Sequence, residues 1–434
     1  MTDIQDYVNL ILQKKNVFLN SPGGCGKSYI LQAVYNHMIN NYPHIKIGLT
    51  SSTGVSAVNI CGVTLHHYTG IGLGKYDIST HISYIIKNKK IFKKWKQTDY
   101  IFIDEISMLG GSILDKLNEI GKQLRRNNDP FGGIRLFVSG DNMQLSPIND
   151  YWFFQSDVWN DMEFIIIRNF TPYRYPDLEW FKMLMRIRVG KLKKSDIKKL
   201  QSRVISEKKE HTTLLYAKNK DVIFENSLQL NKLSSQIVTF ECLDFITTKD
   251  EYKITNRIKS DDKKYCSYTK IMNDSVPELL ELKVGAECII TFNVDVELGL
   301  ANGTRCIIDR IILPNFKFCE NKDQLIESGG VYVIVNSEKH FIKYTQFTLE
   351  DDDIIYSRYQ IPLKIAYALT VHKCQGLSLP SVCTSIGSDI FCAGQAYVAL
   401  SRCKQLSELY LLEFNPDKIL IDSDAMEFEK FVSE

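Results

Sequence analysis

No stretch of this 434-residue chain is apolar over the ~20 residues that a membrane-spanning helix needs, which argues against a membrane-embedded protein. Charge of one sign is also lacking. The 53 Lys and Arg against 51 Asp and Glu leave a formal +2, so any nucleic-acid surface must come from local clustering rather than net charge. Among the eleven cysteines there is no C-x-x-C pair and no paired Cys/His ligand spacing, which excludes the usual zinc modules. Cys25, Cys61, Cys288, Cys374 and Cys403 read instead as reduced thiols of an intracellular protein. Met1-Thr2-Asp3-Ile4-Gln5-Asp6 carries acid where a signal or transit peptide carries base, so secretion is not expected. Internal repeats and low-complexity tracts are missing too.

What is present is a globular composition, 44% hydrophobic and 24% charged, on a chain too long for one core. Two lobes plus an insertion are expected. The first third alternates short apolar runs (Val17-Phe18-Leu19, residues 45–49, 100–104 and 134–139) with helical patterns at 27–42 and 106–127, the signature of a parallel sheet covered by helices. Residues 289–349 change to short β-rich runs separated by Asn302-Gly303 and Gly329-Gly330 turns, a small β-barrel inserted in a second α/β lobe that resumes near Ile361.

Two motifs carry chemistry. Ser21-Pro22-Gly23-Gly24-Cys25-Gly26-Lys27-Ser28 follows the first strand and opens a helix, the place for a phosphate cradle. Gly23, Gly24, Cys25 and Gly26 bring backbone N–H groups to phosphate, Lys27 reaches the β and γ phosphates, and Ser28 offers a hydroxyl to Mg²⁺. Ser21 stands where the general pattern has glycine, so an ordinary φ is expected there. Asp104-Glu105 closes the apolar run 100–103, at the sheet edge where open α/β sheets bind ligands. Asp104 suits Mg²⁺ and Glu105 suits the water that attacks the γ-phosphate. An ATP-hydrolysing enzyme is the expectation.

The remaining segments, read in order, resemble the PIF-type (petite integration frequency) superfamily 1 DNA helicases. They are residues 49–60 with Gly62-Val63-Thr64-Leu65-His66, Asp104-Glu105-Ile106-Ser107-Met108, Gly140-Asp141-Asn142-Met143-Gln144-Leu145, Val284-Gly285-Ala286 with residues 299–304, Ala368-Leu369-Thr370-Val371-His372-Lys373-Cys374-Gln375-Gly376-Leu377, and Gln395-Ala396-Tyr397-Val398-Ala399-Leu400-Ser401-Arg402. Matches run from residue 5 to about 411. The resemblance implies an α/β fold of two RecA-like parallel-sheet lobes with an SH3-like β-barrel inserted in the second. The first lobe would be 1–168 with a small wedge near 70–97, the second 169–284 and 361–434, and the insertion 285–360.

By the same resemblance Gln5 reads adenine, Gln144 senses the γ-phosphate, Arg402 is an arginine finger, Arg174 is a second phosphate-sensing arginine, and Gln375 and Gly376 contribute to the nucleotide site. Tyr175 replaces the family's glutamine. Thr53, Thr64, His66, Thr370, His372 and Lys373 match positions that face the strand, where hydroxyl, imidazole and ammonium groups hold phosphates without reading bases. Cys374 stands where serine is usual, with one hydrogen bond expected to be lost. Lys87, Lys89, Lys90, Lys93, Lys94 and Lys96 around Trp95 form either a fork-side contact or a solvated basic face over a buried tryptophan. Lys191, Lys193, Lys194, Lys198 and Lys199 read as a solvated face, and Asp351-Asp352-Asp353 as a charged turn. The resemblance implies a monomeric motor, close to a bare core, that uses ATP and Mg²⁺ to move 5′ to 3′ on single-stranded DNA and open forked or tailed duplex. The alternatives are an RNA-directed helicase, a protein-stripping translocase, a scaffold with a degenerate ATP site, and a P-loop kinase.

Overall fold

The computed structural model describes residues 4–72, 74–209, 212–248, 254–258, 269, 272–273, 276–292, 294–295, 298–300, 304–314, 326–350 and 354–433. The Asn302-Gly303 turn and the Asp351-Asp352-Asp353 turn lie outside them. By packing, the chain divides into one compact unit of residues 1–206 with 385–434 and another of residues 207–384. Residues 169–206 and 385–434, expected in the second lobe, therefore group with the first unit.

The first unit is built on six strands: β1 (Val17–Asn20), β2 (Ile47–Ser51), β3 (Val63–Thr64), β4 (Tyr100–Asp104), β5 (Arg135–Gly140) and β6 (Ile165–Arg168). They pair in parallel in the order β3-β2-β4-β5-β1-β6. Side chains of a strand alternate between faces, and each central strand here feeds two cores. Val17, Leu19, Phe102 and Phe137 pack with Tyr7, Val8, Ile11, Leu31, Val34 and Met38, from the helices Ile4–Leu12 and Lys27–Asn41. Phe18, Ile101, Ile103, Leu136 and Val138 pack on the other face with Leu114, Leu117, Ile120 and Leu124 of the helix Gly111–Arg125. Burial on both faces is why β1 and β4 read as continuous apolar runs rather than alternating ones. The helical pattern seen at 106–127 resolves into a 3₁₀ turn, Ile106–Met108, and that helix.

The last helix, Ser423–Phe431, closes the second of these cores. Phe428 stacks on Phe154 with centroids 4.2 Å apart and meets Phe153 edge to face at 5.9 Å. Asn142 Nδ2 donates to Ala425 O at 3.0 Å, and Trp152 Nε1 to Asp422 Oδ1 at 3.2 Å.

In the second unit Thr213–Tyr216 pairs in parallel with Ala368–Thr370 on one side and Val382–Ile386 on the other, and the helix Asn219–Lys232 follows it. Five antiparallel strands run in the order Glu338–Lys343, Gly330–Val335, Arg305–Ile312, Glu287–Ile290, Leu363–Ile365, around Ile290, Ile308, Val331, Val333 and Ile342. A further antiparallel sheet contains Leu243–Thr248 and Ile354–Gln360, and there the buried Arg358 guanidinium makes two 2.8 Å bonds to Asp244. Among the described residues no helix is long and apolar enough to cross a membrane.

Phe428→Ala removes a ring buried among five aromatic neighbours, so it should destabilise the first unit by about 3 kcal/mol or more. A chemical-denaturation midpoint unchanged from the parent would show that the last helix contributes no core.

Candidate active site

The buried strand β1 delivers the chain to Ser21, whose N–H donates to Gly140 O at 3.0 Å and whose hydroxyl donates to Asn169 O at 2.5 Å. Gly24 and Gly26 have φ of 82° and 81°, a left-handed conformation that costs an L side chain on the order of 1 kcal/mol or more. Ser21, as expected, is not among the positive-φ residues. Lys27 then opens its helix. Its side chain is buried, with Nζ 3.4 Å from Pro22 O. Cys25 is fully buried, and burial pushes its thiol up to about 11, which makes it a small apolar packing group rather than a nucleophile.

The loop meets the β4 edge through one hydrogen bond: Ser28 Oγ donates to Asp104 Oδ2 at 2.7 Å. The same carboxylate takes Ser56 Oγ at 2.8 Å on Oδ2 and Ser139 Oγ at 2.6 Å on Oδ1. An all-oxygen set around one buried carboxylate is the donor chemistry that Mg²⁺ prefers. Glu105, next along, is buried and held at φ 52°, ψ 47°. That strained conformation turns the chain sharply at the strand end, and such strain collects at functional sites.

Three further side chains converge on Gly23. A Cβ placed there would lie 3.1 Å from Arg402 Nη2 and 3.3 Å from Gln144 Nε2. Arg402 is fully buried after the helix Gln395–Leu400, with Nε donating to Val398 O at 2.9 Å and Nη2 to Ser401 Oγ at 2.8 Å. Residues 173–175 lie on the loop: the N–H groups of Tyr173 and Arg174 donate to Gly24 O at 3.1 and 3.0 Å. Arg174 Nη1 reaches Ser401 O at 3.2 Å. Tyr175, standing where the family has glutamine, is buried, with its hydroxyl 3.1 Å from Gly23 O and 2.9 Å from Ser401 O. It thereby ties the phosphate loop to the residue before Arg402.

Behind these groups lies a buried ionic network. Asp141 Oδ2 accepts from Gly23 N–H at 3.3 Å, Gln144 Nε2 at 3.1 Å and the Tyr397 hydroxyl at 3.2 Å. Its Oδ1 accepts from Arg188 Nε at 2.9 Å. Arg188, 2% exposed, also bonds both oxygens of Glu429, at 2.8 and 2.9 Å, and Arg168 joins Glu429 at 2.8 Å. Burial alone would raise the Asp141 carboxyl. The charges of Arg188 and Lys27, with bonds from Arg188 and Gln144, outweigh burial and hold it below the usual carboxylate range.

Comparison with known proteins decides the family. Residues 3–196 match the model of the PIF1-like helicase, and residues 271–311 that of the DNA helicase Pif1 2B domain. A crystal structure of Pif1 helicase from Candida albicans superposes with a TM-score of 0.76 at 31% identity, covering 100% of this chain and 99% of that one. The chain belongs to the PIF1-like helicase family. An uncharacterized protein, 030L, of Invertebrate iridescent virus 6 is 31% identical over 97% of this chain and 92% of its own length. The ATP-dependent DNA helicase PIF1 of Xenopus laevis is 31% identical over 97% of this chain, which spans 62% of that relative's length. The mixed α/β fold with parallel sheets is that of the Pif1 helicases and their RecA-like lobes.

Within this family frame, Lys27, Ser28, Asp104, Glu105, Gln144, Arg174 and Arg402 all belong to the first compact unit. Gln5 is exposed on the first helix, its amide donating to Asn9 Oδ1 at 3.1 Å. Gln375 is buried and Gly376 exposed in the second unit. Thr53, Thr64 and Thr370 each accept from their own backbone: Thr53 from Ser56 N–H at 3.2 Å, Thr64 from His67 N–H at 3.3 Å, Thr370 from Lys373 N–H at 3.3 Å. Accepting leaves each hydroxyl proton able to reach a phosphate. Burial lowers His66 and His372, so both imidazoles are neutral near pH 7. Lys373 is exposed.

Cys374 Sγ donates to Val371 O at 3.1 Å. Of the two readings of the basic segment around Trp95, the structure has the solvated face: the indole is 3% exposed with Nε1 donating to Thr69 O at 3.0 Å, and its helix exposes Lys89, Lys93 and Lys96. Lys191, Lys193, Lys194, Lys198 and Lys199 are exposed as expected.

Motif reading assigned no role to Arg188, Glu429 or Tyr397. A signal existed for the first two. Phe181, Leu184 and Arg188 share one buried stripe, as do Ala425, Phe428, Glu429 and Val432, so each charge occupies an apolar position of its helix.

Lys27→Ala should lower ATP turnover by about 10²–10³-fold while leaving the far-ultraviolet circular dichroism unchanged. Turnover retained in that variant would put the nucleotide elsewhere.

Proposed function

We propose that this chain is an ATP-dependent DNA helicase that hydrolyses Mg-ATP to move 5′ to 3′ on single-stranded DNA and to separate duplex. The observation that carries it is the convergence on one glycine-rich loop of a carboxylate, through the 2.7 Å Ser28–Asp104 bond, and of Gln144 and Arg402 beside Gly23. A simple phosphate-binding scaffold has no use for a buried arginine and glutamine there, whereas transfer of a γ-phosphoryl group to water does.

Backbone N–H groups of residues 23–28 and the Lys27 ammonium hold the β and γ phosphates. Ser28 Oγ and the Asp104 carboxylate fit Mg²⁺, which when bound neutralises phosphate charge. Glu105 accepts a proton from the attacking water as its oxygen bonds to the γ-phosphorus. The bridging P–O bond breaks and ADP leaves. Arg402 and Arg174 stabilise the charge on the γ-phosphoryl oxygens, a task for planar guanidinium forks. Gln5 contributes an amide for the adenine edge. Thr53, Thr64, His66, Thr370, His372 and Lys373 hold the phosphates of the strand, neutral donors outnumbering charge, which suits a motor that must release each grip.

The direction of travel is tested by unwinding matched duplexes that carry either a 5′ or a 3′ single-stranded tail, with ATP and magnesium. Opening of the 5′-tailed duplex alone is expected, and equal use of both tails overturns the polarity. ATPase stimulation by DNA above that by RNA of the same length is expected, the reverse pointing to an RNA-directed enzyme. Affinity for the strand should fall steeply between 50 and 200 mM salt, by roughly 10³-fold or more if about six phosphates are held.

A further inference from the structure

Gln144 is a buried amide with one end committed. Gln144 is 3% exposed, and its Nε2 lies 3.1 Å from Asp141 Oδ2. An ionised carboxylate only accepts, so the amide must turn its NH₂ toward Asp141. The other end, Oε1, is buried and without a hydrogen-bond partner among the described residues. A buried acceptor left unmet costs free energy, and in native proteins such an atom is matched by water or ligand. Gln144 thus offers its carbonyl oxygen, which can accept from a water O–H but cannot bind phosphate oxygen.

The Asp141 orientation in turn rests on Arg188. Arg188 occupies Oδ1, with Nε at 2.9 Å and Nη2 at 2.8 Å, and Met143 N–H adds a bond at 3.2 Å, leaving Oδ2 to Gln144, Gly23 and Tyr397. Arg188 is aimed by Glu429, which grips Nη1 and Nη2 and is itself held by Arg168 and by Asn20 Nδ2 at 3.3 Å. Asn20 ends β1, the strand that leads into the phosphate loop. Packing alone does not call for this chain of charges, since apolar residues of similar volume stabilise a core as well as a buried ion pair does.

We propose that Glu429, in the last helix, is a positioning residue for ATP hydrolysis: through Arg188 and Asp141 it locks the Gln144 amide so that its carbonyl oxygen accepts from the attacking water. Glu429 touches no substrate, and this role rests on the ATP-site reading above.

The decisive experiment is a double-mutant cycle in ATPase turnover at saturating single-stranded DNA, with the parent chain, Glu429→Gln, Gln144→Ala and the double variant. Glu429→Gln should lower kcat by about tenfold with KM within about twofold, and should cost less than about twofold more once Gln144 is already alanine. Equal losses in both backgrounds, or a folded Glu429→Gln with the parent kcat, overturn the relay. Should Glu429→Gln fail to fold, Arg188→Lys takes its place in the cycle with the same outcomes, because it keeps the charge and loses the fork. No ATP turnover by the parent chain overturns the ATP-site reading and the relay together. Parent turnover with additive losses overturns the relay alone.

Discussion

Arg188 sits between two carboxylates, 2.8 Å from Asp141 and 2.8 Å from Glu429, with almost no water around it. Removing one partner of such a group leaves an uncompensated buried charge, at a cost of roughly 3–5 kcal/mol. The constraint therefore binds four distant segments: the end of β1 through Asn20, the loop after β5 through Asp141, the helix Leu178–Arg188, and the last helix Ser423–Phe431. The phosphate loop hangs from this knot by the Gly23 N–H bond to Asp141. Arg402 is held to it through Tyr397, a residue of the helix that carries the chain to that arginine.

The sheet supplies the other half of the site. With β1 between β5 and β6, and β4 next to β5, the C-terminal ends of three neighbouring strands put Ser21, Asp104 and Asp141 on one edge. Two kinds of interaction then divide the work. Hydroxyls on Asp104 gather neutral oxygen donors for a cation, and the Asp141 network orients an amide and a guanidinium at Gly23. Strain is confined to a few backbone positions, Gly24, Gly26 and Glu105.

Motif spacing makes the phosphate loop and the Asp104-Glu105 edge legible because each is a local pattern with a task set by phosphate chemistry, whereas Gln144 and Arg402 were singled out only by the resemblance. The alternation of apolar runs also predicts the parallel sheet. Its strand bounds differ by a residue or two, as with residues 45–49 against Ile47–Ser51, because backbone pairing with Tyr100–Asp104 rather than hydropathy sets the ends. Less local features escaped. The basic segment around Trp95 left two readings open in sequence, and packing chose the one with a buried indole, whose N–H meets Thr69 O.

The order of residues along the chain was enough to expose a phosphate loop and a strand-end carboxylate pair on an α/β scaffold, and the resemblance of its remaining motifs pointed to the helicase family, since such motifs are short-range and do not depend on distant partners. Folding alone settled the pairing of residues 141, 188 and 429. Asp141 is 288 positions from Glu429 by number, and one arginine bridges them within 3 Å. A charge on an apolar stripe announces that it needs a partner, but only the packed helices reveal which one, because the low dielectric around it, not the neighbouring sequence, selects the match.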